Sequence, residues 1–330
     1  MSSPAYPLTF TPLFKERVWG GHALADLFQK PLPPGVPIGE SWEITDRPEG
    51  VSVIANGPLQ GRDLRWLMST HARDVLGARG EVHAHGGRFP ILAKILDARD
   101  KLSLQVHPPA ALAAALGGEP KTEMWYIAHA EPGAELYVGL KAGITREEFT
   151  RRARCGDDIA GCFHRVPVQT GDAMMLPSGR VHAIGAGLVI FEIQQNSDTT
   201  YRVFDWNRVG LDGKPRELHL EASLASIDFA DIEPRLIQTV FSRSPTIKVR
   251  DLVDDPLFRI SAWDIKRGER FHLRSDVVQI LAVVSGRLRA KGNGEEVLCG
   301  PGGFVLLPAC LERTTLVAET RVVLLHVELP

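Results

Sequence analysis

Short apolar runs rich in β-branched residues, separated by glycine and proline, are the feature that most constrains how this chain folds. Among its 330 residues are 31 glycines and 23 prolines, spread along the whole length. Strands of β proteins are typically this short and are bounded by such turn residues. The clearest runs are 51–54, 188–191, 277–284, 304–307 and 321–327. The pattern predicts a mainly β fold, a sandwich or barrel of many short strands.

Helices are expected to be few and short. Asp63 is placed to cap a helix that runs to about residue 75 and stops at Gly77. A proline pair precedes the alanine-rich stretch 110–116, and proline is tolerated in the first turn of a helix. Thr145 and Glu148 have the spacing of a capping box, which predicts a third short helix.

A repeated pattern indicates that the β structure is built twice. Residues 171–177 (GDAMMLP) are followed five residues later by His182, and residues 302–308 (GGFVLLP) are followed five residues later by Arg313. The two segments align without a gap, and each has the form of a turn, a buried strand and a proline-led loop. Chance recurrence is the alternative. Duplication predicts two related jelly rolls, of which only the first keeps a histidine at this position.

Composition excludes several classes of protein. The formal net charge is -2, from 38 basic and 40 acidic residues, which gives no reason to expect a nucleic-acid or membrane partner. The four cysteines form no C-x-x-C pair, which argues against a cysteine zinc site. The start of the chain lacks a signal-peptide pattern, and no apolar run approaches the length of a bilayer span. We expect a reduced, cytoplasmic protein that is a monomer or a weak homo-oligomer.

Two alternating stretches place polar side chains on one face of a strand. In 102–108 (LSLQVHP), Gln105 and His107 point the same way, because side chains two residues apart share a face. In 121–126 (KTEMWY), the same rule groups Lys121, Glu123 and Trp125. A carboxylate, a cation and an aromatic ring on one face suit a site for a charged, hydroxyl-rich ligand.

A third imidazole, His182, lies where a loop meets a strand. Together with His107, Glu123 and the amide oxygen of Gln105, it forms a plausible ligand set for a divalent ion with one open position. Zinc is the default metal for two imidazoles and one carboxylate. With 11 histidines in the chain, some fall on strands by chance. The pair at 83 and 85 has the same spacing but no apolar alternation around it, and we interpret it as a solvated loop.

Six stretches, taken together, resemble type I mannose-6-phosphate isomerases, in particular the short bacterial form. They are FKERVWGG at 14–21, GESWEI at 39–44, LSLQVHP at 102–108, KTEMWY at 121–126, 171–182, and EIQQNSDTTYR at 192–202. They run in order across about the first two thirds of the chain. The resemblance implies a cupin-superfamily enzyme that binds one zinc ion per chain and interconverts mannose 6-phosphate and fructose 6-phosphate.

The resemblance also implies roles for individual residues. The family's metal ligands fall on the four residues grouped above: Gln105, His107, Glu123 and His182. Its essential arginine falls on Arg202 and its active-site lysines fall on Lys94 and Lys121. Its acidic site residues fall on Glu192 and Asp198.

Exchange of an aldose and a ketose moves a proton between C1 and C2, most simply through an enediol. Lys94 and Lys121 are suited to stabilise the growing negative charge. Arg202 suits the phosphate or the enediolate, since a guanidinium matches such oxygens with two donors. The proton carrier stays open between Glu192, Asp198, Lys121 and a metal-bound water. We assign catalysis to Arg202 and Lys121. We assign substrate binding to Lys94, Glu192 and Asp198.

Trp19 and Trp125 are added to the substrate-binding set, although tryptophans in β proteins more often belong to the core. With two cupin-like domains, residues 1–235 would form the metal-binding catalytic domain with short helical insertions. Residues 236–330 would form a cupin-like domain without a metal site. The divide falls in 228–245, a mixed polar stretch that contains two prolines.

Three alternatives stay open. Another cupin enzyme, such as a metal-dependent oxygenase or another sugar-phosphate isomerase, would bind iron or manganese and would lack phosphate-binding cations. A non-catalytic sugar-binding cupin would keep the pocket and bind without turnover. A bifunctional isomerase and nucleotidyltransferase would need a glycine-rich phosphate loop near the start, and residues 18–22 lack that character.

Overall fold

The computed structural model describes residues 3–80, 84–155, 159–274 and 276–329, and within these ranges the protein is mostly β. His83 of the alternative histidine pair lies outside the described residues. None of the helices in these ranges is long and apolar enough to cross a membrane.

The first two thirds of the described chain hold fifteen strands. They are β1 (Phe10–Thr11), β2 (Leu13–Gly21), β3 (Ile38–Ile44), β4 (Asp46–Arg47), β5 (Gly50–Val51), β6 (Val53–Ile54), β7 (Ile91–Ala98), β8 (Leu104–Val106), β9 (Glu123–Ala130), β10 (Glu135–Leu140), β11 (Phe163–Pro167), β12 (Ala173–Leu176), β13 (His182–Ile184), β14 (Leu188–Gln195) and β15 (Tyr201–Phe204). Two antiparallel sheets dominate, with strand orders β12-β9-β14-β7-β3-β2 and β11-β10-β13-β8-β15. Trp125 and Ile190 of the first sheet pack in one apolar cluster with Leu136 and Ile184 of the second, so the two sheets enclose a barrel-like core.

The last third forms a second pair of sheets. Its strands are β16 (Ile247–Asp254), β17 (Arg259–Ile265), β18 (Arg270–Leu273), β19 (Gln279–Ser285), β20 (Leu288–Gly292), β21 (Glu295–Cys299), β22 (Phe304–Leu307), β23 (Thr314–Ala318) and β24 (Val322–Glu328). The strand orders are β16-β17-β24-β19-β22 and β18-β23-β20-β21. Leu281 and Leu324 of one sheet share an apolar cluster with Leu288 and Leu316 of the other.

The two pairs of sheets repeat the same arrangement. The order β12-β9-β14-β7-β3 corresponds to β22-β19-β24-β17-β16, and β11-β10-β13-β8 corresponds to β21-β20-β23-β18. The repeated sequence pattern ends in β12 and β22, which are edge strands of equivalent sheets. The prediction of a mainly β fold with two jelly rolls is therefore confirmed. The boundary between residues 235 and 236 stays a prediction. It lies within residues 227–246, which contain no strand and therefore do not mark one particular position as the boundary.

Five α-helices connect the strands of the described ranges. They are α1 (Ala23–Phe28), α2 (Leu64–Gly80), α3 (Ala110–Ala113), α4 (Arg146–Cys155) and α5 (Leu220–Ser226). The expected caps are present, because the carboxylate of Asp63 accepts from the Trp66 amide at 2.6 Å and the Thr145 hydroxyl accepts from the Glu148 amide at 3.2 Å. Helix α3 is shorter than expected.

The helix predicted to follow Asp63 breaks at Gly77, as expected. The backbone of Gly77 is not helical, with φ of 77° and ψ of 168°, and a further helical piece continues to residue 80. A side chain at this position would meet the carbonyl oxygen of Asp276, since an added Cβ would lie 2.2 Å from it. Glycine here therefore both breaks the helix and permits the close approach of the second jelly roll.

The two jelly rolls pack through an apolar interface. The rings of Phe191 and Phe304 stack with centroids 5.6 Å apart, and Leu8 forms a bridge to Leu306. A buried ion pair adds to the contact, with the Lys30 ammonium 2.6 Å from a Glu43 oxygen and donating to the Gly302 carbonyl at 2.8 Å. The cavity of the candidate site is lined by residues of the first jelly roll and of the loop that follows β15.

Candidate metal centre and active-site cavity

Three strand ends place potential metal ligands at one point inside the first jelly roll. His107 directly follows β8, Glu123 begins β9 and His182 begins β13. Their ligand atoms all lie within 4.8 Å of one another. The two Nε2 atoms are 3.5 Å (His107) and 3.4 Å (His182) from oxygens of the Glu123 carboxylate. All three side chains are buried, so this convergence is part of the packed structure.

Hydrogen bonds to the backbone fix the orientation of both imidazoles. Nδ1 of His107 lies 2.8 Å from the Thr199 carbonyl, and Nδ1 of His182 lies 2.9 Å from the Arg180 carbonyl. A carbonyl only accepts, so each Nδ1 carries the proton and each neutral ring directs the lone pair of Nε2 toward Glu123. Burial lowers the pKa of both rings, that of His107 to about 4, so both are neutral at pH 7.

The centre of the cluster holds polar atoms without partners. Nε2 of His107 and Oε1 of Glu123 are buried and make no hydrogen bond to any described residue. Burial acts to raise the pKa of Glu123, but the Lys121 ammonium, 2.8 Å away, outweighs it and holds that pKa well below its usual range. A charged carboxylate and converging lone pairs fit a divalent cation, since buried polar atoms are otherwise nearly always paired.

Gln105 completes the predicted ligand set at the edge of the cluster. Its Cα is paired with that of His182 across β8 and β13, and its amide nitrogen lies 3.3 Å from Nε2 of His182. A half-turn of the amide would exchange its nitrogen and oxygen. The side chain is therefore placed to offer an oxygen to the same ion.

A cavity of about 540 Å³ opens beside the cluster. All the predicted site residues outside the three-residue cluster line it: Trp19, Lys94, Gln105, Lys121, Trp125, Glu192, Asp198 and Arg202. The structure thus brings together every residue that the sequence proposed for the site. Their individual roles stay predictions.

Charged side chains of alternating sign line the cavity. The Lys94 ammonium lies 3.0 Å from Glu192 and 3.9 Å from Glu40, and Lys121 lies 3.9 Å from Glu192. The indole N–H of Trp125 donates to the other oxygen of Glu192 at 2.8 Å. Both lysines are almost fully buried. Lys121 is thereby held beside Glu123 of the three-residue cluster, and Lys94 beside Glu192 and Glu40, where little water screens these charges.

Arg202 lies next to the metal cluster on the neighbouring strand. Its Cα is paired with that of Gln105 across β15 and β8. Nη1 of its guanidinium donates to the Glu217 carbonyl at 2.7 Å, whereas its buried Nε has no partner among the described residues.

Sequence reasoning missed five charged residues that line the cavity: Glu16, Arg17, Glu40, Asp212 and Arg216. Glu40 accepts from the Arg17 guanidinium at 2.9 Å and from the Trp42 indole at 2.6 Å. Burial acts to raise the pKa of Glu40, but Lys94 and Arg17 outweigh it and bring that pKa to about 2. Period-two alternation within 39–44 was a usable signal, because it places Glu40 and Trp42 on one face. Arg216, on a loop, carried no such signal.

The second jelly roll has different residues at the equivalent positions. Leu176 is paired with Glu123 and, in the repeated segment, Leu307 is paired with Gln279. Gln279 therefore holds the position of Glu123, and its amide oxygen lies 3.1 Å from Nε2 of His326. Arg313, the sequence counterpart of His182, is exposed. Within the described ranges, the cluster in the first jelly roll is the single group of three close ligands.

A jelly roll with two neutral imidazoles and a carboxylate converging beside a charged cavity defines a metal-dependent enzyme. Comparison with known proteins gives the family. Residues 8–119 match the phosphomannose isomerase type I catalytic domain. The chain is 37% identical over 307 residues to the mannose-6-phosphate isomerase ManA of Bacillus subtilis (strain 168), covering 92% of this chain and 93% of that protein.

Two further comparisons extend across almost the whole chain. The mannose-6-phosphate isomerase of Streptococcus mutans is 33% identical over 323 residues, which is 98% of each chain. The crystal structure of the mannose 6-phosphate isomerase from Bacillus subtilis matches with a TM-score of 0.87 at 32% identity, covering 97% of this chain and 99% of that one. The chain belongs to the type I phosphomannose isomerase family. The likeness includes the second jelly roll, beyond the stretches that carried the resemblance in sequence.

Proposed function

We propose that this chain interconverts mannose 6-phosphate and fructose 6-phosphate, with one zinc ion held by His107, Glu123, His182 and Gln105. The observation that carries the proposal is the convergence of two neutral imidazoles on a charged, buried carboxylate whose Oε1 has no partner among the described residues. Zinc suits three such protein ligands with room for a further oxygen. Bound there, zinc would supply a Lewis acid that polarises the sugar oxygens.

Lys121 is proposed to act on the reacting carbons. Its ammonium lies between the metal cluster and the acidic side of the cavity, 2.8 Å from Glu123 and 3.9 Å from Glu192. From there it can donate a hydrogen bond to an enediolate oxygen as charge develops, in a site where electrostatic interactions are strong. Glu192 and Asp198 share the cavity with it and stay candidates for carrying the proton between C1 and C2.

The remaining cavity residues are proposed to position the substrate. Lys94 lies 3.0 Å from Glu192 and 3.9 Å from Glu40, and so places a positive charge between two buried carboxylates. The Trp125 ring meets the edge of His182 with centroids 5.2 Å apart, while its N–H is bound to Glu192. These contacts support a role in orienting a metal ligand and an acidic residue. Trp19 lines the cavity as a largely buried wall.

An assay on mannose 6-phosphate tests the proposal. The purified protein should form fructose 6-phosphate, lose this activity after treatment with a chelator, and regain it when zinc is restored. Consumption of oxygen by the iron- or manganese-loaded protein, without isomerisation, would favour the oxygenase alternative. Binding of the sugar phosphate without turnover by the metal-loaded protein would favour the sugar-binding alternative.

The proposed partner is accordingly a small phosphorylated sugar. A cytoplasmic location and a monomeric or weakly associating state stay predictions. Cell fractionation and light scattering of the purified protein measure these two properties.

A further inference from the structure

The segment 205–219, called here the cavity loop, joins β15 to α5 and covers one side of the cavity mouth. Four of its residues line the cavity: Gly210, Leu211, Asp212 and Arg216. Leu211 is 58% exposed although it lies on the cavity wall, so this wall is also open to solvent. The cavity loop is thus a wall of the cavity that also faces solvent.

The cavity loop is fixed at its base. The Trp206 indole donates to the Leu102 carbonyl at 2.7 Å, and the Arg208 guanidinium donates to the Lys101 carbonyl. The Lys101 ammonium lies 4.7 Å from the centre of the Trp206 ring. Further out, the Gly210 amide donates to the Lys214 carbonyl at 2.7 Å. The side chains that the loop carries are therefore held in place.

Three guanidinium groups gather around one carboxylate in this loop. Asp205 is 5% exposed and accepts from Nε of Arg216 at 2.7 Å and from Nε of Arg208 at 3.0 Å. Arg202 is the third: burial first, and then the charge of Arg216, lowers the pKa of its guanidinium. Asp100, 3.6 Å from Arg208, is 64% exposed and therefore a weak partner. The three guanidinium groups outnumber the two carboxylates that contact them, Asp205 and Asp100.

The arginines keep donors that no described residue uses. Asp205 occupies Nε and Nη2 of Arg216 and leaves Nη1, while the Glu217 carbonyl occupies Nη1 of Arg202 and leaves Nη2 and the buried Nε. Excess positive charge with free guanidinium donors is suited to an oxyanion. Arg202 is paired with Gln105, at the edge of the three candidate metal ligands, and Arg216 comes from the cavity loop. The two arginines therefore line the cavity from the candidate metal site toward the cavity loop.

We propose that Arg216 binds the phosphate of the substrate together with Arg202, and thereby determines the preference of the enzyme for a phosphorylated sugar. The proposal rests on the proposed function and adds an orientation to it. The carbonyl end of the sugar lies at the metal cluster, and the phosphate lies at the cavity loop. Asp205 is the positioning residue that holds Arg216 in place.

Arg216→Gln tests the proposal, with Arg216→Lys as the conservative variant. Arg321→Gln is the matched control, because Arg321 makes a two-point contact with Asp264, at 2.8 and 2.7 Å, in the second jelly roll and away from the cavity. Two quantities are measured for each protein: the Kd of inorganic phosphate by calorimetry, and KM and kcat for mannose 6-phosphate. Thermal unfolding reports whether each variant is folded.

Arg216→Gln should weaken phosphate binding and raise KM by about 10- to 100-fold, the effect of losing a hydrogen bond to a charged group. The kcat should change much less, Arg216→Lys should recover part of the loss, and Arg321→Gln should match the wild type. An unchanged phosphate Kd and KM in folded Arg216→Gln would overturn the proposal. A decrease of similar size in kcat, with Kd and KM unchanged, would also overturn it. Absence of isomerisation by the wild-type protein would instead count against the proposed function, because the phosphate titration does not depend on turnover.

Discussion

Replacing Lys94 with methionine tests the charge balance of the cavity most sharply. Around Lys94, the cations Arg17, Lys94 and Lys121 form ion pairs with the carboxylates of Glu40, Glu123 and Glu192. Burial alone would lower the pKa of Lys94, but Glu192 and Glu40 outweigh it and raise that pKa above its ordinary value. The ammonium is therefore fully charged at pH 7 and almost completely shielded from water.

Lys94→Met keeps an unbranched side chain, one heavy atom shorter than that of lysine, and removes its charge. It leaves Glu192 with the Trp125 indole at 2.8 Å and the more distant Lys121 at 3.9 Å, so one buried negative charge is left without compensation. Removing one partner of a buried ion pair costs about 3–5 kcal/mol. We expect a loss of this size in the free energy of unfolding, together with loss of isomerase activity.

A double variant separates charge from packing. Lys94→Met with Glu192→Gln removes both members of the 3.0 Å pair and keeps the acceptor for Trp125. It should be more stable than Lys94→Met by at least about 1 kcal/mol, within the range measured for coupled contacting residues, and it should stay inactive. Urea unfolding and the isomerase assay measure the two properties.

A matched control lies at the interface between the jelly rolls. Lys30 is in a buried pair with Glu43 at 2.6 Å and does not line the cavity. Lys30→Met should lower the free energy of unfolding by a similar amount. The folded fraction of this variant should keep the kcat of the wild type. Wild-type stability in Lys94→Met, or a double variant whose losses simply add, would refute the argument from buried charge.

Four further predictions concern single residues. His107→Ala and His182→Ala should each abolish both metal retention, measured by metal analysis, and turnover. Arg202→Ala should retain the metal and lose activity; normal turnover would remove this residue from the catalytic set. Arg313→Ala should leave kcat and KM unchanged, because Arg313 is an exposed residue of the second jelly roll; a large kinetic loss with normal folding would contradict this. Burial lowers the pKa of His326 from 6.5 to about 4, so folding favours the neutral ring. The stability contributed by His326 is complete above pH 6.5, and about 2–3 kcal/mol of it is lost as the pH falls to 4, because the unfolded chain binds the extra proton. His326→Asn should flatten this part of the pH dependence in urea unfolding.

Period-two alternation located the centre of the site from sequence. It grouped Gln105 with His107, and Lys121 with Glu123 and Trp125, and the structure places these side chains in or around one cavity. The rule works here because each stretch is part of a short, regular strand whose alternate side chains must face the barrel interior. The repeated pattern at 171–177 and 302–308 identified the duplication for the same reason, since both segments become edge strands in equivalent sheets.

Features set by loops and by distant packing were beyond this reasoning. The helix break at Gly77 was predicted, but the close approach of Asp276 from the second jelly roll, which also requires glycine at this position, was not. Arg216 reaches the cavity only because Asp205 and the base of the cavity loop hold it there. No local periodicity encodes such contacts, because they depend on how segments far apart in sequence, or irregular in backbone, come together.

The location of the metal ion tests the central claim most directly. Anomalous diffraction at the zinc edge, from crystals of the active protein, should show one strong peak in the first jelly roll. The ion should lie about 2.0–2.2 Å from Nε2 of both imidazoles and from an oxygen of Glu123, the usual distances for zinc. Active crystals with an empty cluster, or with zinc bound elsewhere, would contradict the account.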